Sequence, residues 1–191
     1  MQEIVQKALR DSGELKLRAA ETLAGDIVAA AQAMIRSFQE NRKVVAFGNG
    51  GSAADAQHFT AELVGRFIAD RPALPAISFA ENASTVTSVA NDYGYDRIFS
   101  RQVEAHVKPG DTVVGFSTSG NSPNVLLGLK RAREIGARTV GLAGRRGGRM
   151  ITAADTCIVV PHEETARIQE VHITVVHIWC DLIERGLFRG K

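Results

Sequence analysis

Apolar residues recur along this chain in two patterns, one with a helical period and one in short unbroken runs. From residue 4 to about residue 39 they return at steps of three and four without a proline, which predicts one or two amphipathic helices. Beyond residue 40, short apolar runs alternate with helical stretches. The predicted strands are residues 44–47, 76–79, 112–117, 139–143 and 157–160.

Five short apolar strands separated by helices indicate a parallel sheet covered on both faces. The expected fold is α/β: a flavodoxin-like, doubly wound, five-stranded parallel sheet flanked by helices, with an N-terminal helical arm. At 191 residues, the length predicts a single domain over 1–191, with N-terminal helices at 1–40 and an α/β core at 41–191. Residues 163–187 are apolar nearly all round, so we expect a last helix buried against the domain or a partner.

Composition and charge narrow the class of partner. A formal charge of +2, with Lys and Arg scattered among acidic residues, leaves no basic stripe for nucleic acid and suits an anionic small molecule. No apolar run approaches the ~18 residues that span a bilayer, and the N-terminus lacks the features of a signal peptide. Cys157 and Cys180 have neither metal-site nor disulfide-framework spacing. We therefore expect a cytoplasmic protein with reduced core thiols that binds neither nucleic acid nor membrane.

The most informative polar segment follows the first predicted strand and reads Gly-Asn-Gly-Gly-Ser-Ala-Ala-Asp-Ala-Gln-His at 48–58. Glycines at a strand-to-helix turn let backbone N–H groups approach a ligand, and the helix N-terminus favours an anion. Ser52 is the expected N-cap of this helix. The segment matches neither the P-loop nor the dinucleotide fingerprint.

A second polar loop, at 117–123, follows the third predicted strand. It has hydroxyl residues at 117, 118, 119 and 122 and a glycine at 120 able to take positive φ; Ser122 and Pro123 suit the N-cap and first position of the next helix. A serine-rich loop alone is more often a solvated turn. In an open parallel sheet, however, ligands bind beyond the carboxyl ends of strands where the topology reverses. The two loops together therefore predict a phosphate or sugar-phosphate site.

Two predicted helices carry further polar candidates. His58 and Glu62 are four residues apart and share a helix face. In isolation, such a pair is usually a hydrogen bond on the helix surface. Beside the glycines, the pair could instead supply half of the ligands of a metal site, or a catalytic base with its orienting partner. Gln169, His172 and His177 raise the same question in the last helix, where a lone histidine is usually a core residue. Gln169 and His177 are about 12 Å apart on a straight helix, near the limit for one metal ion. A distorted first turn or ligands from different subunits would resolve this, and we favour different subunits.

Two remaining segments carry weaker signals. Residues 91–95, Asn-Asp-Tyr-Gly-Tyr, are a polar turn signal after an apolar helix and form either a plain loop or contacts to sugar hydroxyls. The basic, glycine-rich segment at 144–149 is interpreted as a structural turn.

These segments resemble one family. The motif at 48–58, Ser-Thr-Ser-Gly-Asn-Ser at 117–122 and Arg-Ile-Gln-Glu-Val-His at 167–172 are similar to the sugar isomerase (SIS) domain proteins, and among them to the phosphoheptose isomerases. The resemblance runs from the N-terminal helices to the last helix. It implies a homotetramer with active sites at subunit interfaces. It also implies conversion of D-sedoheptulose 7-phosphate to D-glycero-D-manno-heptose 7-phosphate through an enediol, the first step towards nucleotide-activated heptose for lipopolysaccharide, capsule or another glycoconjugate.

The resemblance also implies roles for residues of this chain. Glu62 fits the base, and His177 fits its acid/base partner. One Zn²⁺ per subunit is implied, with the ligands His58, Glu62, Gln169 and His177. The implied substrate contacts, to which Ser52 is added from its position, are Asn49, Gly50, Gly51, Ser52, Glu62, Asn91, Asp92, Ser117, Thr118, Ser119, Ser122 and Gln169.

Two alternatives to an enzyme stay open. A replication-initiator-associating protein of the same fold has a C-terminal segment that 180–183 and 187–188 somewhat resemble. The chain keeps Gly51, Glu62, Ser119 and His177, where we expect that branch to lose catalytic groups, so the enzyme is favoured. A sugar-phosphate sensor without turnover would need the serine-rich loop but neither Glu62 nor His177. Ala166 departs from some isomerases that have an acidic residue there, so this chain has no acid/base group at that position.

Overall fold

The computed structural model describes residues 1–188 and has a central sheet with helices on both faces. The strands are β1 Val44–Phe47, β2 Ala76–Ser78, β3 Thr112–Ser117, β4 Arg138–Gly144 and β5 Thr156–Val160. The helices are α1 Gln2–Thr22, α2 Ala24–Gln39, α3 Gly51–Val64, α4 Ala83–Tyr93, α5 Ile98–His106, α6 Pro123–Ile135, α7 Met150–Ala153 and α8 Thr165–Phe188. A short 3-10 turn, Tyr95–Arg97, precedes α5. All five predicted strands are confirmed, each within about one residue of its predicted bounds.

The sheet is parallel throughout, with the strand order β2-β1-β3-β4-β5. Val45 in β1 pairs with Val113 in β3 on one side and with Ile77 in β2 on the other. The chain thus moves outward from β1 to β2 and then returns past β1 to β3. This is the predicted doubly wound order, and its topology reverses between β1 and β3.

Strand side chains alternate between the two faces of the sheet and build two hydrophobic cores. Ala46 and Phe116 belong to the core shared with α1, α2, α3 and α8. Phe47 points to the opposite core, where its ring stacks on Phe79 and Phe99 at centroid distances of 6.1 and 4.7 Å. Because both faces are covered, the ends of the strands are held in fixed positions relative to one another.

The N-terminal helices α1 and α2 form the predicted arm and lie against α8. Leu15 and Met34 are fully buried, and the Trp179 indole N–H donates to the Ile27 carbonyl oxygen at 3.0 Å. Four apolar residues of α1 stay exposed in this chain. They are Ile4, Val5, Leu9 and Leu17.

The last helix, α8, is buried as predicted, and its C-terminal part fixes the segment that follows α3. The carboxylate of Glu184, almost fully buried, accepts backbone N–H groups of Phe67, Ile68 and Ala69 at 2.9, 3.1 and 2.8 Å, and the Arg71 Nε at 3.2 Å. Burial alone would raise the pKa of Glu184, but these donors outweigh burial and lower it. The carboxylate is therefore ionised and holds the segment 67–71 in place.

The two cysteines are free thiols, as predicted, with Cys180 buried and Cys157 half-buried. Burial raises the pKa of Cys180 to about 12 and that of Cys157 to about 11. Both thiols are therefore protonated and unreactive at neutral pH. Within residues 1–188, none of the helices has the length and apolar character needed to cross a membrane.

Candidate active site

The two polar loops predicted from the sequence lie at the carboxyl ends of neighbouring strands. Phe47, the last residue of β1, pairs with Gly115 in β3. β1 leads into the glycine loop, residues 48–51, and β3 ends in the serine loop, residues 117–122. Because β2 lies on the far side of β1, the crevice between these loops is at the point where the topology reverses.

The glycine loop turns sharply into α3. Gly50 has a φ of 56° and is the N-cap of α3, which begins at Gly51. The prediction that Ser52 is the N-cap is therefore wrong, because the cap requires a positive φ that glycine adopts without strain; Ser52 lies buried in the first turn. A Cβ on Gly48 would come within 2.7 Å of the Ser52 carbonyl oxygen, so the turn tolerates only glycine there. In the first turn of α3, the N–H groups of Ser52 and Ala53 donate to the carbonyl oxygens of Asn49 and Gly50, each at 3.0 Å. The positive end of the helix dipole still favours an anion at this turn.

Asn49 is held in the glycine loop by its side chain. Its Nδ2 donates to Asn124 Oδ1 at 2.9 Å, and Asn124 Nδ2 donates back to Asn49 Oδ1 at 2.8 Å. The Tyr95 hydroxyl donates to the same Asn49 oxygen at 3.1 Å. Asn124 is not among the residues predicted from the sequence, and Tyr95 is predicted only as part of a turn. The one signal for Asn124 is its place in the first turn of α6, directly after Pro123.

The serine loop gathers its hydroxyls in front of α6. Ser117 Oγ lies 2.8 Å from Ser122 Oγ and 3.3 Å from Ser119 Oγ. Ser122 is the N-cap and Pro123 the first residue of α6, as predicted, although the Ser122 hydroxyl bonds Ser117 instead of capping the helix. Thr118 is half-buried between these serines. Three hydroxyls at a helix N-terminus are suited to the oxygens of a phosphate.

The basic segment at 144–149 supports the serine loop from behind. Gly120 has the predicted positive φ, 64°, and a Cβ there would overlap the Gly147 carbonyl oxygen. The backbone N–H of Met150 donates to the Gly120 carbonyl oxygen at 3.0 Å, and that of Arg149 donates to Asn121 Oδ1 at 3.1 Å. The interpretation of this segment as a structural turn is confirmed.

α3 and α8 bring the predicted histidines and glutamate together. His58 Nε2 lies 3.1 Å from Glu62 Oε1 and 3.4 Å from His177 Nε2. The Phe67 ring stacks on His177 at a centroid distance of 5.6 Å. The Glu62 side chain is 26% exposed and that of His58 44%, so the cluster is open to solvent on one side. Within residues 1–188, no group of three or more His, Cys, Asp or Glu side chains is arranged to hold a metal ion. His58 instead contacts Glu62 and His177 separately.

Gln169 lies with the glycine loop of its own chain. Its side chain packs on Gly51, where a Cβ would come within 2.9 Å of the Gln169 Oε1. α8 is a continuous α-helix from Thr165 to Phe188, so the structure contains no distorted first turn. The backbones of Gln169 and His177 are thus about 12 Å apart. The other alternative, that the ligands come from different subunits, stays a prediction.

Asn91 and Asp92 lie in the last turn of α4, so the prediction of a turn or loop at these two residues is wrong. Both are exposed, and Asn91 Nδ2 donates to Asp92 Oδ1 at 2.8 Å. The helix ends at Gly94, whose φ of 86° no other residue adopts easily. Tyr95, directly after this turn, is the residue that reaches the glycine loop.

Two further titratable groups lie on the same helices. Asp55, one turn before His58, is half-buried; burial raises its pKa to about 6, although the nearby His58 opposes the shift. His172 is fully buried and its Nε2 donates to the Ala143 carbonyl oxygen at 3.1 Å. Burial lowers the pKa of His172 to about 4, while the bond to Ala143 raises it. His172 is therefore a neutral core residue and not part of the cluster.

Comparisons with known proteins agree with this geometry. A family model described as "SIS domain" matches residues 9–144. The phosphoheptose isomerase of Geobacter sp. (strain M21) is 52% identical over 188 residues, which cover 98% of each chain. Solved structures of phosphoheptose isomerases from Neisseria gonorrhoeae and Francisella tularensis match with TM-scores of 0.91 and 0.93 at 42% and 34% identity, each over 96% of this chain and 98% of the other. The chain therefore belongs to the SIS-domain family and, within it, to the phosphoheptose isomerases.

Proposed function

We propose that this protein is an isomerase that converts D-sedoheptulose 7-phosphate to D-glycero-D-manno-heptose 7-phosphate through an enediol. The observation that carries the proposal is the 52% identity to a phosphoheptose isomerase across 98% of both chains. The product is an aldose phosphate, which suits the first step towards nucleotide-activated heptose. We place that step in the cytoplasm, with lipopolysaccharide as one destination of the heptose.

The serine loop is proposed to bind the phosphate of the substrate. The hydroxyl oxygens of Ser119 and Ser122 lie 3.3 and 2.8 Å from the hydroxyl oxygen of Ser117. Thr118 adds a fourth hydroxyl on the same loop. Each hydroxyl donates one hydrogen bond to a phosphate oxygen, and the positive end of the α6 dipole stabilises the dianion.

The glycine loop and its neighbours are proposed to hold the sugar chain. The backbone N–H groups of Gly50 and Gly51 and the side chain of Gln169, which packs on Gly51, lie together at the start of α3. These donors and acceptors match the hydroxyl groups of a polyol. The other proposed contacts are Asn49, Asn91 and Asp92, which follow from the family, and Ser52, which follows from its position.

Glu62 and His177 are proposed to move the protons. Glu62 removes the proton from C1 of the ketose and returns it to C2, so that the C1–C2 enediol collapses to the aldose. His177 donates a proton to the carbonyl oxygen O2 and accepts one from O1, which balances the transfer. His58, 3.1 Å from Glu62 and 3.4 Å from His177, links the two groups.

We also propose one Zn²⁺ per subunit, bound by His58, Glu62, Gln169 and His177. Ligands about 2.1 Å from a tetrahedral ion lie roughly 3.4 Å apart. The two imidazole nitrogens, at 3.4 Å, and the His58–Glu62 pair, at 3.1 Å, are close to that spacing. The bound ion would polarise a substrate oxygen. A metal-bound carboxylate is a weaker base, so Glu62 would not hold the ion and accept the proton in the same state.

Metal content tests the zinc proposal independently of turnover. Elemental analysis of purified protein should find about one zinc per chain. His58→Ala and His177→Ala should lose most of it, whereas His106→Ala, an exposed histidine on α5, should keep it. Wild-type protein without a stoichiometric divalent ion would refute the zinc site.

A homotetramer with active sites between subunits is proposed from the resemblance to the family, and the length of α3 supports sites that are shared between subunits. Glu62 is eleven residues beyond Gly51, about 16 Å along the helix. An extended heptose phosphate spans roughly 10 Å from phosphorus to C1, given C–C bonds of about 1.5 Å. This mismatch supports sites that combine the serine loop of one subunit with Glu62 of another.

The uncovered apolar surface of the arm supports subunit packing. A groove of about 410 Å³ runs between α1, α2 and α8, with Ile27, Val175 and Leu182 in its walls. The same helix α1 also carries the exposed apolar residues Ile4, Val5, Leu9 and Leu17. Apolar surface of this kind is typical of contacts between permanently associated subunits.

The experiment that tests the function is incubation of metal-loaded protein with sedoheptulose 7-phosphate, with the aldose product identified by NMR. We expect conversion to an equilibrium mixture of ketose and aldose phosphates. Binding of the ketose phosphate without conversion would refute the enzyme and favour a sugar-phosphate sensor.

A further inference from the structure

We infer that Asn124 and Tyr95 are positioning residues that act on the substrate through Asn49. The inference rests on the proposed isomerase function and adds to it two residues outside the substrate-contacting set. The three side chains form a hydrogen-bonded bridge across the crevice at the carboxyl ends of β1 and β3.

The bridge uses the full accepting capacity of both amide oxygens. Asn124 Oδ1 accepts from Asn49 Nδ2 at 2.9 Å and from the Val125 backbone N–H at 2.9 Å. Asn49 Oδ1 accepts from Asn124 Nδ2 at 2.8 Å and from the Tyr95 hydroxyl at 3.1 Å. An amide oxygen has two lone pairs. The side-chain oxygen of Asn49 therefore faces the protein and not the substrate.

The location of the pair makes these hydrogen bonds strong. Asn124 is 2% exposed, and Asn49 is half-buried. Hydrogen bonds shielded from water are stronger than exposed ones, and a buried amide that loses its partner is costly. Each partner also comes from a different segment: Asn124 from α6, Asn49 from the turn after β1, and Tyr95 from the turn after α4.

The bridge compensates for the flexibility of the glycine loop. Gly48 and Gly50 flank Asn49, and glycine has the largest conformational freedom of any residue. With the Asn49 side chain fixed, the neighbouring backbone N–H groups keep one orientation towards the ligand. This preorganisation reduces the entropy lost on binding. Because the loop would contact substrate and transition state alike, loss of the bridge should raise KM more than it lowers kcat.

A double-mutant cycle tests the connection between the two asparagines. We expect Asn49→Ala and Asn124→Ala each to raise KM for sedoheptulose 7-phosphate about tenfold, with kcat within about threefold of wild type. The double variant should raise KM no further than the worse single variant, because either change alone breaks the pair. Multiplicative increases, about a hundredfold in the double variant, would overturn the inference.

A second cycle uses a substitution that leaves the fold intact. Tyr95 is 56% exposed, so Tyr95→Phe removes one hydroxyl from an open site. We expect it to raise KM about threefold in the wild-type background and not at all in the Asn49→Ala background. Tyr93→Phe, a tyrosine that is 58% exposed on α4, is the matched control and should change nothing. The same effect of Tyr95→Phe in both backgrounds would overturn the role of Tyr95.

A structural control separates positioning from general stability. Gln102 is a buried amide on α5 that donates to the carbonyl oxygens of Phe79 and Ile98 at 3.0 and 2.9 Å. Gln102→Ala should lower the melting temperature but leave KM unchanged, whereas a comparable rise in KM would refute specific positioning.

If wild type shows no turnover, the isomerase proposal fails, and the same cycles are measured as calorimetric binding of the ketose phosphate. Multiplicative effects there overturn the bridge.

Discussion

Two buried ionisable residues on α8 illustrate how the surroundings of a side chain decide its charge. Glu184 is ionised because three backbone N–H groups and Arg71 bind its carboxylate. His172 is neutral because burial disfavours its charged form more than the hydrogen bond to the Ala143 carbonyl oxygen favours it. Its Nδ1 has no hydrogen-bond partner among the described residues. Neither residue belongs to the proposed catalytic set. Both nevertheless fix α8, which carries Gln169 and His177.

His172 should make stability depend on pH. Its pKa is about 4 in the folded chain and 6.5 in the unfolded one, so the unfolded state takes up the proton first. Its contribution to stability is therefore complete above pH 6.5 and is lost as pH falls towards 4, by up to about 3 kcal/mol. Urea unfolding of His172→Gln should show a smaller loss of stability over that range than wild type.

The exposed His106 provides the control for this measurement. His106→Gln should keep the wild-type dependence of unfolding free energy on pH. Identical pH profiles for wild type and His172→Gln would show that His172 is not the residue responsible.

Among the elements, the strands and the start of α6 could be predicted from the sequence, but the start of α3 and the end of α4 could not. Parallel strands buried on both faces are continuous apolar runs, so β1 and β3 are visible in the sequence. The start of α3 was misplaced because Ser52 has the better capping side chain, whereas the chain path requires a positive φ at Gly50. Asn91 and Asp92 were misplaced because turn-forming residues also occupy last turns of helices.

The partners of Asn49 could not be predicted for a different reason. The Asn49–Asn124 pair joins residues 75 positions apart. Local patterns do not contain such a contact, because it exists only once the sheet has placed β1 beside β3. By contrast, the His58–Glu62 pair lies within one helix, and its spacing of four residues makes it visible in the sequence.

The serine loop should depend on Gly120 for its shape. Gly120→Ala places a Cβ against the Gly147 carbonyl oxygen at a φ of 64°. We expect a loss of at least about 2 kcal/mol in unfolding free energy and a large rise in KM for the sugar phosphate.

Gly13→Ala, in the interior of α1, is the matched control, since nothing lies within 4 Å of the added Cβ. It should stabilise the protein by up to about 1 kcal/mol and leave KM unchanged. A Gly120→Ala variant as stable and active as Gly13→Ala would mean that the loop has another conformation.

At the scale of the whole molecule, the proposed active site is larger than one chain supplies. The serine loop lies at the crevice, while Glu62 lies about three turns along α3 from Gly51. His177, on α8, lies beside His58 near that far end of α3. The resemblance to the family implies the same division between subunits. The residue patterns gave one indication of it, the distance of about 12 Å between Gln169 and His177 on a straight helix. They could not predict which residues each subunit supplies, because each motif lies within one helix or loop.

Subunit mixing tests this division. In the proposed tetramer, Glu62→Gln and the serine-loop variant Ser119→Ala/Ser122→Ala should each be inactive when assembled alone. The two variants are mixed in equal amounts, denatured and refolded together. We then expect activity in about one quarter of the sites, because those sites combine an intact Glu62 with an intact serine loop. No recovery in demonstrably mixed tetramers would place the whole site within one subunit.

The most direct test of the catalytic assignment is the rate of aldose formation by Glu62→Gln at saturating sedoheptulose 7-phosphate. Glu134→Gln, an exposed glutamate in surface ion pairs on α6, serves as the matched control. We expect Glu62→Gln to lose at least about a hundredfold in kcat, as removal of a general base does, while it still folds and binds the ketose phosphate and Glu134→Gln behaves as wild type. A Glu62→Gln enzyme with wild-type kcat would contradict the role of Glu62 as the base.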